Sequence, residues 1–187
     1  MNDDAELIQE CLSGRSAAFG SLVQKYQDRL YNTIVHVSGS RDDASDIVQE
    51  AFVQAFLKLE TFQQSSAFYT WLYRIAFNVA ITHHRRRRPL GSLDHLREQS
   101  GQEVVDRSGG PVEALERTER VGQIREAIAA LGDEHRSVLV LREIEGCCYE
   151  TIADILQIPV GTVRSRLHRA RAELREQLRE MLPIDKP

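Results

Sequence analysis

The stretch Tyr149–Arg171, YETIADILQIPVGTVRSRLHRAR, decides the fold. Ile152, Ile155 and Leu156 recur at helical spacing and mark the buried face of one short helix, with Ala153 small where a crossing helix would approach closely. Ile158 fills the turn after it. Pro159 can open a second helix, because its missing N–H would have no partner in a first turn. Val163, Leu167, Ala170 and Leu174 then recur at intervals of four, three and four, the buried stripe of that helix. Arg164, Ser165, His168 and Arg169 share the opposite stripe. Two short helices joined by a tight turn, the second exposing cations, form a helix-turn-helix.

The second helix of such a motif enters the DNA major groove and reads bases from its N-terminal half. Arginine can bond bidentately to guanine, and each good pair discriminates by about 1–3 kcal/mol. Thr162 and the first amides of the helix are placed to hold phosphate. Five arginines lie between Arg164 and Arg175, in a chain whose net charge is −4. One local rule is broken. Cys148 stands where a capping Ser, Thr or Asp is expected, a cost on the order of 1 kcal/mol, and neither Glu150 nor Asp154 is expected to replace the missing acceptor.

Outward from this motif, nearly every segment has helical period and none has sustained alternation. Asp4 to Leu12 is a short helix stopped by Gly14. Ser16 is expected to cap a second, with Phe19, Leu22, Val23, Tyr26, Leu30, Ile34 and Val35 inward and an end at Gly39. Ser40 caps a third, whose inner face carries Ala44, Ile47, Val48, Ala51, Phe52, Ala55, Phe56 and Leu59. A fourth, from about Ala67 to Arg87, buries Trp71, Leu72, Ile75, Ala76 and Val79 and stops at Pro89. Between Pro89 and Pro111 the pattern gives way to Gly, Ser, Pro and charge, the composition of a linker. Helical period resumes through Val121, Ile124, Ile128 and Leu131. Asp133 is expected to cap a helix carrying Val138, Leu139, Leu141 and Ile144, closed by Gly146. The expected fold is all-α: two small helical domains at 1–88 and 113–182, joined by a flexible linker at 89–112.

Composition narrows the function. Hydrophobic residues make up 42% of the 187, enough for a core, and no apolar run approaches the roughly 20 residues that cross a bilayer. The acidic start MNDDAELIQE reads as neither signal peptide nor presequence, so a bacterial-type cytoplasm is expected. Cys11, Cys147 and Cys148 lack both zinc-ligand and CxxC spacing and read as small thiols. Charge is segregated, acidic in RDDASDIVQE and basic in HHRRRR and VRSRLHRARAELR, as in proteins that meet partners of both signs.

Three strings in order, DDASDIVQEAFVQAFLKL (42–59), SSAFYTWLYRIAFNVA (65–80) and the helix-turn-helix, resemble the extracytoplasmic-function (ECF, group 4) sigma factors of the sigma-70 family, of the sigma-E type. The similarity runs from about Ala17 to Leu182. It implies a transcription initiation factor made of conserved regions 2 and 4, which binds RNA polymerase core, recognises −10 and −35 promoter elements and helps open the DNA. By the resemblance, the third helix docks on the clamp helices of the largest polymerase subunit, and the second domain meets the flap. Asp46, Gln49 and Glu50, at i, i+3 and i+4, share the exposed face for that docking. The segment from Phe62 to Arg88 corresponds to the part that melts and reads the −10 element. Its candidate contacts are Phe62, Gln63, Ser65, Ser66 and Ala67 in a loop that would pocket a flipped non-template base, then Tyr69, Tyr73, Arg74 and Asn78. Arg85 and Arg86 would hold phosphate. Rings that stack on unpaired bases and cations along the backbone suit single-strand capture. Arg164, Ser165 and Arg169 match the −35 base contacts of the family; Arg142, Tyr149, Glu150 and Thr162 match its backbone contacts. His168 and Arg171 complete the −35 set. Ile81 and Thr82 stand where several relatives carry polar or basic residues.

The resemblance also implies an anti-sigma factor clamping both domains, often from the inner membrane. No catalytic residue, metal, cofactor or small-molecule substrate is expected. The rival reading is a helix-turn-helix regulator acting without polymerase, which leaves DDASDIVQEAF and the aromatic fourth helix without a purpose. A metal-dependent nuclease built on His83, His84 and His95 lacks carboxylates at ligand spacing.

Overall fold

The computed structural model describes residues 4–63, 66–87 and 111–181, and every regular element among them is helical. The first helical unit contains α1 (Asp4–Leu12), α2 (Ala17–Ser38), α3 (Arg41–Leu57) and α4 (Phe68–Arg87), with a single 3₁₀ turn at Leu59–Thr61. Gly39 ends α2 in a left-handed conformation (φ 73°), its N–H bonded to the Val35 carbonyl at 2.9 Å, a backbone geometry that suits glycine. Ser40 caps α3 as expected. Its backbone is extended, its hydroxyl accepts from the Asp43 N–H at 3.3 Å, and Asp42 and Asp43 lie favourably at the positive end of the helix. Ser16 does not cap α2: its own backbone is already helical and its side chain makes no capping bond.

Leu22, Leu30 and Ile34 of α2, Ala44, Ile47, Ala51 and Ala55 of α3, and Leu72, Ala76 and Phe77 of α4 are essentially inaccessible to water and form the core of this unit. Phe56, expected inside, is exposed instead and meets Phe19 of the core edge-on, with ring centroids 5.1 Å apart. Trp71 is half-buried in an aromatic group with Phe62 and Phe68, at 5.2 and 5.7 Å.

The second unit comprises α5 (Pro111–Ala130), α6 (Asp133–Leu139), α7 (Tyr149–Leu156) and α8 (Val160–Met181). The expected linker, 89–112, lies outside the described residues except for Pro111 and Val112, which already open α5. Gly132, not Asp133, occupies the cap of α6; Asp133 sits inside the first turn, where its charge still favours the helix dipole. α6 runs on as a π-turn at Val140–Ile144, with the Glu145 N–H bonded to the carbonyl five residues back, Val140, at 3.1 Å. A π-turn is wider than an α-turn and shifts the angular phase of the residues after it. Ile144, expected in the core, is turned out to solvent, while the Glu145 side chain is left only 6% exposed.

The two units pack together, α4 against α7 and α2 against α5. An apolar cleft of about 430 Å³ remains beside the contact, lined by His36 of α2, Val121, Ile124 and Ile128 of α5, Ile144, and Leu174 of α8.

Candidate nucleic-acid and polymerase interfaces

α7 and α8 form the helix-turn-helix. Gln157 closes α7 in the left-handed region (φ 54°), and its side-chain amide donates to the Asp154 carbonyl at 2.7 Å. Pro159 sits at the cap of α8 rather than inside it, accepting from the N–H groups of Thr162 and Val163 at 2.9 and 3.1 Å. Val163, Leu167 and Ala170 are fully buried. The opposite stripe is thereby forced outward, and Arg164, Ser165, His168 and Arg169 are all exposed.

Tyr149 organises this face from behind. The Arg142 guanidinium lies 5.1 Å from its ring centroid and that of Arg164 lies 5.9 Å away, so one aromatic ring positions two cations. Arg142 also donates to the Cys147 carbonyl at 2.8 Å. Cys148 caps α7 with extended backbone but no capping bond, its thiol 3.2 Å from the Thr151 hydroxyl. The Glu150 backbone N–H and the Cys148 thiol hold the Glu150 carboxyl below the ordinary range. The five arginines divide by role. Arg166 pairs with Glu134 at 2.8 Å and Arg171 donates twice to one Glu143 oxygen at 2.6 and 3.0 Å, bracing α8. Among the described residues Arg164 and Arg169 make no ion pair.

The −10 candidates separate into two groups. Gln63, Ala67, Asn78 and Arg85 are exposed, and Phe62 and Ser66 are half-buried, so these present themselves on one side of the first unit's loop and α4. Ser65 and the Arg86 side chain lie outside the described residues. Tyr69, Tyr73 and Arg74 face the second unit instead. Tyr73 is 0% exposed, its ring tilted against that of Tyr69 with centroids 4.1 Å apart and its hydroxyl 3.2 Å from that of Thr33, so its ring is core in this arrangement. The Tyr69 hydroxyl lies 3.2 Å from the Cys147 thiol and donates to Glu145 at 3.3 Å. Burial is the main cause that pushes the Tyr69 phenol well above its usual range. Arg74 donates to the Asp154 carbonyl at 3.0 Å.

On α3, Asp46, Gln49 and Glu50 are exposed as expected, and Glu50 accepts from the Gln54 amide at 2.9 Å. The same face continues with Val53 and Leu57, 53% and 73% exposed, and Phe56 lies beside them. Sequence reading missed this apolar half because it placed Phe56 on the buried face and gave Val53 and Leu57 no role. The surplus of apolar residues over one helical face was the available signal. Among the described residues no His, Cys, Asp and Glu group could hold a metal ion. His84 instead stands 3.5 Å from Asp133 across the contact between units. The cysteines are free, Cys147 buried and Cys148 exposed. No helix among the described residues is long and apolar enough to cross a membrane.

Sigma-70 region 2 matches residues 22–89 and Sigma-70 region 4 matches residues 122–174. The RNA polymerase sigma-H factor of Pseudomonas aeruginosa is 40% identical over 185 residues, spanning 96% of this chain and 95% of its own. The ECF RNA polymerase sigma factor SigW of Bacillus subtilis is 36% identical over 181 residues, 93% of this chain and 96% of its own. Among solved structures, CnrH in complex with the cytosolic domain of CnrY superposes with a TM-score of 0.68 at 28% identity, covering 96% of this chain and 99% of that one. With a helix-turn-helix that exposes its cations, a helix α3 that exposes acidic residues and these relatives spanning its length, the chain belongs to the ECF sigma factors of the sigma-70 family.

Proposed function

We propose that this sigma factor engages polymerase core through α3, reads the −35 element with α8 and captures the −10 element with α4 and the loop before it. The observation that carries the reading is the α8 surface: Arg164, Ser165, His168 and Arg169 exposed on one stripe, backed by buried Val163, Leu167 and Ala170. Arg164 and Arg169 take base edges; Arg142, Tyr149, Glu150 and Thr162 flank them toward the phosphate backbone, with Arg171 left to brace the helix. On α3, Asp46, Gln49 and Glu50 give steering and register toward a basic partner surface, and Val53 and Leu57 give the apolar area that holds it. Gln63, Ser66, Ala67, Asn78 and Arg85 form the accessible part of the −10 reader. Region 2 corresponds to 1–88, the linker to 89–112 and region 4 to 113–182. The chain initiates transcription in the cytoplasm and carries no catalytic chemistry of its own.

An anti-sigma factor is proposed as the regulating partner, since CnrH, with which this chain shares its fold at 28% identity, was solved with the cytosolic domain of CnrY. When that partner is membrane-bound, the sigma factor is held at the inner membrane. Binding of fluorescently labelled core polymerase tests the α3 assignment. Leu57→Asp is expected to weaken it at least tenfold with an unchanged melting temperature; unchanged affinity would refute the docking face.

A further inference from the structure

Three guanidiniums gather around one phenol beside the exposed surface of α8. Arg164, His168 and Arg171 stand at i, i+4 and i+7, so they share one exposed stripe of that helix. The Arg164 guanidinium lies 5.9 Å from the Tyr149 ring centroid, and that of Arg142 lies 5.1 Å away. Arg171 belongs to the same group. Hydrogen bonds to Glu143 first, opposed by desolvation, and then Tyr149 hold its guanidinium above the ordinary range. Cations crowded around one ring repel one another, and solvent weakens that repulsion without abolishing it.

Glu143 is the carboxylate set against them. Its Oε1 accepts from Arg171 Nε at 3.0 Å and from a terminal nitrogen of the same guanidinium at 2.6 Å. Glu143 follows Arg142 on the π-turn at Val140–Ile144, so this one turn supplies both a cation to the ring and an anion to the cation beyond it. Contacts therefore run without a break from Glu143 to Arg171, from Arg171 to Tyr149 and from Tyr149 to Arg164. The ion pair does little for folding: its side chains are 49% and 48% exposed, and pairs at such sites contribute little to stability. Its effect falls on the charge that α8 offers to DNA. An unpaired Arg171 beside Arg164 would grip phosphate on any duplex, and phosphate contacts carry no sequence information. Paired with Glu143, it can do so only by giving up two hydrogen bonds. Arg169 is different: among the described residues it makes no ion pair and meets no aromatic ring.

We infer that Glu143 is a specificity-determining residue for upstream promoter recognition: it withholds Arg171 from phosphate and, through Arg171 and Tyr149, positions Arg164 for its base. The inference rests on the proposed −35 role of α8. Glu143 acts only through its neighbours and is a positioning residue.

Competition binding of the holoenzyme to duplexes carrying each base pair at every upstream position, with a salt series on a duplex lacking a promoter, tests this. Glu143→Gln is expected to lower discrimination at the base pair read by Arg164 about threefold, within the reach of an exposed ion pair. Discrimination at the base pair read by Arg169 should not change. Binding to the promoterless duplex should tighten about threefold, with a salt slope steeper by about 0.9, the increment for one phosphate contact. Glu143→Asp, which keeps the carboxylate, should restore part of both effects. Adding Arg171→Ala to Glu143→Gln should remove the gain on promoterless DNA; a gain that persists, or an unchanged slope in Glu143→Gln, would overturn the withholding of Arg171. Discrimination falling while non-specific affinity rises is a result that loosened folding cannot give. Loss of both together, with a lower melting temperature, would reduce Glu143 to a structural role and overturn the inference. Discrimination unchanged in Glu143→Gln but lost at one base pair in Arg164→Ala would overturn the inference and leave the −35 assignment standing. Discrimination that survives Arg164→Ala at every position would refute that assignment, and the inference with it.

Discussion

Tyr149 shows how much a single residue carries at the proposed −35 face: its ring backs the guanidiniums of Arg142 and Arg164, and its backbone begins α7. Arg164→Ala and Arg169→Ala are each expected to cost about 1–3 kcal/mol of promoter affinity and to relax preference at one base pair, measured by competition binding of the holoenzyme. Arg171→Ala should cost less than either. Its cation is already paired with Glu143 at an exposed site, where such pairs contribute about 0–1 kcal/mol. Cys148→Ser should raise stability by about 0.5–1 kcal/mol in urea denaturation, since the cap has extended backbone and lacks only an acceptor. The buried stripe of α8 and the exposure of its basic stripe were both legible from spacing, because a helix surface is a local property. The place of Tyr73 was not: only the Thr33 hydroxyl, the Tyr69 ring and the nearby Glu145 make a site where its phenol can be buried.

At the scale of the element, α3 joins a core face and the proposed docking face. Ala44, Ile47, Ala51 and Ala55 are packed without accessible surface, whereas Asp46, Glu50, Val53 and Leu57 look outward. A core substitution and a face substitution should therefore separate cleanly. Leu72→Ala, in the α4 layer that α3 packs on, is expected to destabilise by about 2–5 kcal/mol in chemical denaturation. Leu57→Asp should leave stability unchanged and weaken polymerase binding at least tenfold. Helix existence, the Ser40 cap and the Gly39 and Gly146 stops were legible in the sequence because each is set within a few residues. The π-turn after α6 was not legible. Nothing in VLREI departs from an α-helical period, and the extra residue is accommodated by long-range bonds from Glu145 to α2 and α4.

For the molecule as a whole, the helical character of both units was legible in periodicity, but their mutual packing was not, since it depends on a few polar contacts between residues more than 70 positions apart. His36 reports on that packing. Burial first, and then the Arg125 guanidinium, hold its imidazole below the ordinary range, with Glu145 opposing. The unfolded chain takes up this proton below about pH 6.5, and the folded chain resists it. Stability linked to His36 is therefore full above about pH 6.5 and is lost as pH falls toward the lowered folded value. Thermal melts at about pH 7.5 and 5.5 should show a drop on acidification that His36→Gln reduces; an identical drop in the variant would show that other groups carry it. The most direct test of the central assignment is run-off transcription with core polymerase, the purified chain and a promoter library. Transcripts that require the chain, and that fall away with Arg164→Ala/Arg169→Ala or with Leu57→Asp, are predicted. DNA binding by the chain without any chain-dependent transcript would contradict the account.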